Sequence, residues 1–60
     1  MDASIIRRAA IELETKAEDL YERAIQTRDR RDRNKLMERR ARLTRIAREL
    51  LEVAGLIGPR

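Results

Sequence analysis

Apolar positions recur along the first part of the chain with a helical rhythm. Ile6, Ala10, Leu13, Ala17, Leu20 and Ala24 follow one another at spacings of 4, 3, 4, 3 and 4. That is the unbroken heptad stripe of an amphipathic helix, with large residues at d and alanine at a. A second block repeats the pattern. Leu36, Leu43, Ala47, Leu50, Ala54 and Ile57 take the same d and a positions, and Arg40 stands where an alanine would complete the ladder. The stripes predict helix 1 over residues 4–27 and helix 2 over residues 34–54, to within a residue or two at each end.

The two stripes are out of phase. Extending the first past Thr27 places Arg31, Asn34, Glu38, Arg45 and Arg48 at core positions, so one straight helix would bury charge. The slip falls in Thr27 to Asn34, eight residues without an aliphatic side chain. This favours a chain that turns there and folds back as an antiparallel hairpin. A continuous or kinked helix is the competing outcome, because the segment holds no Gly or Pro and arginine is a good helix former. End signals fit the hairpin. Asp2 or Ser4 serves as an N-cap for helix 1 and Asn34 for helix 2, while Gly55 followed by Leu56 suggests a Schellman stop in which Leu56 packs back on Leu51, with Pro59 preventing continuation. Glu12 with Lys16, and Asp19 with Arg23, are favourably ordered pairs four residues apart.

Small alanine at a against large leucine at d lets two helices approach closely, but one hairpin leaves half of each stripe uncovered. Ile5, Ala9, Ile11, Tyr21, Ile25, Ile46 and Val53 widen both apolar faces, as suits a helix touching two neighbours. A chain of 60 residues with Tyr21 as its one aromatic has little with which to build a core alone. The expectation is therefore a single all-α domain over residues 1–60, a hairpin that dimerises into a four-helix bundle with Ile6, Ala10, Leu13, Ala17, Leu20, Ala24, Leu36, Leu43, Ala47, Leu50 and Ala54 as its core and dimer residues. In chain length, hairpin plan and layering the sequence resembles the Rop class of plasmid RNA-binding hairpin dimers. The likeness is one of plan and carries over no residue.

Composition narrows the function. With no Cys and no His, thiolate and imidazole metal sites, disulfides and the commonest general base are missing, so no enzyme, cofactor or metal is expected. No apolar run reaches the roughly 20 residues that cross a bilayer, and the first residues lack the pattern of a secretory signal, so a cytoplasmic protein with no membrane partner is expected. Glu14, Glu18 and Glu22 share a helix face and read as a solvated acidic surface.

Charge is distributed unevenly. Met1 to Thr27 carries four cations and six carboxylates, whereas Arg28 to Arg48 carries ten cations and three carboxylates. Nine of those ten are arginine, whose planar fork suits bidentate phosphate contacts. Arg28, Arg30, Arg31, Arg33, Lys35, Arg39, Arg42 and Arg45 are the candidate nucleic-acid-binding residues, acting on phosphates of RNA or DNA from the turn and the exposed face of helix 2. A solvated turn with no ligand is the plain alternative. The segment Arg31 to Arg42 is similar to the basic region of basic leucine-zipper proteins, with Asn34 and Arg42 at that family's Asn-x7-Arg spacing. It departs from that pattern at Glu38 and in lacking the leucine heptads that follow. The rival function is a protein-interaction module, an inhibitor, adaptor or assembly factor, docking through the apolar face of Ile5, Ile11, Ile25 and Val53. Tyr21 reads as a bundle-edge side chain and Arg40 as a snorkelling one.

Overall fold

The computed structural model describes residues 2–57. Two helices, α1 (Ala3–Gln26) and α2 (Arg30–Ile57), pack side by side and antiparallel in a hairpin 46 Å long and 13 Å across. The chain turns in Thr27, Arg28 and Asp29, three residues rather than the eight of the aliphatic-free segment.

Helix α1 lies within one residue of its expected bounds. Asp2 is the N-cap, its carboxylate accepting a hydrogen bond from the Ser4 backbone N–H at 3.0 Å. That bond, then the Ser4 hydroxyl and the Arg7 charge, hold the Asp2 carboxyl below its ordinary pKa. At the other end Thr27 leaves the helix with extended backbone, φ −84° and ψ 124°. Its N–H donates to the Ala24 carbonyl at 3.2 Å and its hydroxyl to the Arg23 carbonyl at 2.6 Å, so carbonyls of the last turn are satisfied without a glycine.

Helix α2 departs from expectation at both ends. It starts at Arg30, four residues before the expected boundary, because Asp29 rather than Asn34 supplies the cap. The Asp29 carboxylate accepts from the Arg31 N–H at 2.8 Å and its carbonyl from the Arg33 N–H at 2.9 Å. Asn34 is an exposed residue inside the helix. The C-terminal stop at Gly55 does not form, and the helix runs to Ile57. Gly55 keeps helical backbone with open space where a Cβ would stand. Leu56 is 86% exposed and does not pack back on Leu51. Pro59 lies outside the described residues.

The seam is an alanine ladder. Helix α1 buries Ala3, Ala10, Ala17 and Ala24, one residue per heptad, together with Ile6; α2 buries only Ala47 and Ala54. Alanine at these positions removes the bulk that would hold two helix backbones apart. The tightest cluster is at the open end, where Ala3, Ile6 and Ala54 meet and Leu50 closes over them. Leu13, Leu20, Leu36, Leu43 and Leu50, expected as core, are only half-buried: the alanines take the centre and the leucines line one side of the seam. Ile57, the last residue of the α2 stripe, is 49% exposed. Among the described residues no buried side-chain polar atom lacks a hydrogen-bond partner, and no helix is long and apolar enough to cross a membrane.

Candidate nucleic-acid interface

The eight candidate cations are all exposed, and they do not share one face. Arg28 projects from the turn, and Arg30, Arg31 and Arg33 belong to the first turn or so of α2. There the helix macrodipole presents its positive end, so arginine works against local stability by about 0.3–1 kcal/mol at low ionic strength. Asp29 and Asp32 offset part of that charge. The same end of a helix is where an anion is best received.

Further along α2, heptad geometry separates the remaining cations. Arg45 lies on the outer surface, in a shallow hollow of about 600 Å³ shared with Arg40, Arg48, Glu49 and Glu52. Lys35, Arg39 and Arg42 lean towards the side of the seam lined by the half-buried leucines. There they are joined by Lys16 and Arg23 of α1, which lie outside the expected site because α1 is acidic overall. An open groove of about 460 Å³ has Leu20, Leu43 and Ile46 as its floor and Lys16, Arg23, Arg39 and Arg42 around it, with Asp19 as the one carboxylate. A neighbouring hollow of about 550 Å³, shared by Arg23, Arg39, Lys35 and Asp32, continues it to the turn. The signal for Lys16 and Arg23 was present in the heptads: both take g positions, as Arg39 does on α2, and in an antiparallel pair these positions fall on the same side.

Arg40 has a different role. It is half-buried at its a position, and its guanidinium carbon stands 4.6 Å from the centroid of the Tyr21 ring on α1. The ring quadrupole attracts the cation, and the contact ties the helices together where α2 has no alanine. Tyr21 is 41% exposed, at the edge of the hairpin. The acidic face of Glu14, Glu18 and Glu22 is exposed, and among the described residues no three His, Cys, Asp or Glu side chains are grouped to hold a metal ion.

No protein-family model, curated protein or solved structure matches the chain. The chemistry available to the surface is that of its own residues: guanidinium and ammonium groups around a helix N-terminus, and a basic groove with an apolar floor.

Proposed function

We propose that the protein is a small, non-enzymatic accessory or regulatory protein of the cytoplasm that acts as a dimer of hairpins, needs no cofactor and binds RNA or DNA through phosphates. The observation that carries this reading is the placement of Arg28, Arg30, Arg31 and Arg33 around the N-terminus of α2. Four arginines are held there against the helix dipole, where a fold selected for stability alone favours carboxylates, and where phosphate is the natural counter-charge. Lys35, Arg39, Arg42 and Arg45 extend the positive field along α2. Phosphate contacts position a nucleic acid without reading bases, so shape or non-specific recognition is the expected mode.

The test is a titration of RNA and DNA duplexes at low and moderate salt with the native protein and the triple variant R30E/R31E/R33E. All three residues are exposed, and carboxylates suit a helix N-terminus, so the variant keeps the hairpin. The native protein is expected to bind with steep salt dependence, and the variant to lose at least about tenfold in affinity and to show a shallower slope, by roughly 0.9 per lost contact on duplex DNA. Full affinity in the variant refutes the reading.

A second reading is favoured by the opposite end of the molecule. Of the expected docking face, Ile5 and Val53 stand exposed together with Leu56 and Ile57 where the helices end, an apolar surface of the kind that docks on another protein. Ile25 lies at the other end of α1 and Ile11 between them, so Ile5, Ile11, Ile25 and Val53 do not form one patch. Under this reading the arginines meet an acidic partner surface. Binding to neither nucleic acid, with capture of an acidic protein that an Ile5→Asp substitution abolishes, would support it.

A further inference from the structure

The leucine-lined side of the hairpin has two halves of opposite chemistry. The half towards the turn has the groove floored by Leu20, Leu43 and Ile46 and ringed by cations. With Lys35 from the adjoining hollow, five cations there face two carboxylates, Asp19 and Asp32. What such a groove takes is a helical surface with aliphatic side chains and carboxylates at its rim. The half towards the open end offers that surface. Ala9, Leu50 and Val53 lie on it, and Glu12 and Glu49 take the rim c positions there.

From this self-complementarity we propose that the occupant of the face is a second copy of the chain, turned end for end. The two turns lie at opposite ends of the dimer, α1 packs on its partner's α1 and α2 on its partner's α2. The proposal rests on the dimer reading above and adds its face and orientation. Charge decides between the two ways of stacking the faces about a two-fold axis. With both turns at the same end, one basic half lies on the other: Lys16 comes level with Arg42 of the second copy and Arg23 with its Lys35. The acidic halves likewise coincide. With the turns apart, Lys35 and Arg39 come beside Glu49 of the second copy, and Glu12 beside its Lys16; Arg42, midway between Lys35 and Glu49, meets its own counterpart at the two-fold axis, the one like pair this stacking brings level along α2. Asp19 sits between Lys16 and Arg23 of its own helix, three and four residues away, and is balanced in either arrangement. Like charges in register repel, and opposite ones fix orientation, even where each rim pair adds little affinity. The face is also large enough. Its 46 × 13 Å backbone extent gives about 600 Å² before side chains widen it, close to the ~800 Å² per partner of stable interfaces.

The chain has no Cys, so Arg28→Cys places one spin label at the tip of each turn of the full-length protein. Dipolar distance measurement is expected to give a separation approaching the 46 Å length of the hairpin. A separation of about 10–20 Å, one or two helix diameters, overturns the orientation and leaves the dimer standing. The mass of one 7.1 kDa chain with no dipolar coupling overturns both. Neither result bears on nucleic-acid binding, which the titration decides separately. Charge exchange gives a second readout. Lys35→Glu or Glu49→Lys alone is expected to weaken the dimer about two- to fivefold at low salt, and the two together to restore it. With the turns at one end these residues stand about 20 Å apart along the bundle, too far to pair, so failure of the double variant to recover also overturns the proposal.

Discussion

The two halves of the hairpin solve the same packing problem with different residues. Helix α1 supplies an alanine at every heptad along its length, but α2 answers with Ala47 and Ala54 only in the open-end half. In the turn half the same heptad positions hold Arg33 and Arg40, and α2 has no buried residue there. The open end is held by close apolar contact among Ala3, Ile6, Leu50 and Ala54. The turn end is held by the covalent turn, the Asp29 cap and the Arg40–Tyr21 contact. Each half thus has its own means of cohesion. The turn half, already tethered, needs the least apolar burial, and that is where α2 carries most of its cations.

The largest effect that separates the halves is overpacking. Ala54→Leu inserts bulk at a site 1% exposed, and is expected to lower the unfolding free energy by about 1–3 kcal/mol in urea titrations. Arg40→Ala, at the equivalent position of the turn half, is expected to change it by less than about 1 kcal/mol, because the lost cation–π contact is partly offset by the helix propensity of alanine. Equal losses from the two substitutions would erase the distinction. Capping sharpens it next. Asp29→Ala is expected to cost about 1 kcal/mol and to fray the start of α2 in amide exchange, while Asn34→Ala costs nothing measurable. The reverse order would restore the cap to Asn34. Smallest is Gly55→Ala, expected to raise the melting temperature by a stabilisation of about 0.5–1 kcal/mol, since the residue is helical and a methyl group there meets nothing. Destabilisation would show that Gly55 adopts a left-handed stop in solution.

The heptads give both helices, and the slip between their phases favours the hairpin that forms, although the sequence alone leaves a continuous helix as a competitor. The heptads are less informative about rank within a stripe. Alanine and leucine alternate equally in the pattern, yet the alanines occupy the centre and the leucines its side, because only backbone proximity, absent from a one-dimensional pattern, tells which of two apolar positions faces the neighbour. The α2 boundaries were misread for a local reason. Asn34 is a good cap standing just before the apolar stripe, but Asp29 caps the helix five residues earlier, and an arginine-rich segment extends a helix as readily as a loop. Of the basic surface, the α2 residues were legible from charge density. Lys16 and Arg23 were hidden by the acidic average of α1 and appear only when the helices are laid side by side.

The alanine ladder also bears on how the molecule responds to temperature. Alanine removes little hydrocarbon from water, and apart from Ile6 the larger aliphatic side chains of the lone hairpin stay half-buried or exposed. Apolar hydration is the main source of the heat-capacity increment of unfolding, so that increment is small for the chain's length and the curve of stability against temperature is shallow. The unfolding enthalpy is correspondingly low. A single hairpin melts over a broad range without a sharp midpoint. Covering the leucine side sharpens the transition, so the width of a calorimetric peak measures how much of that hydrocarbon has been withdrawn from water.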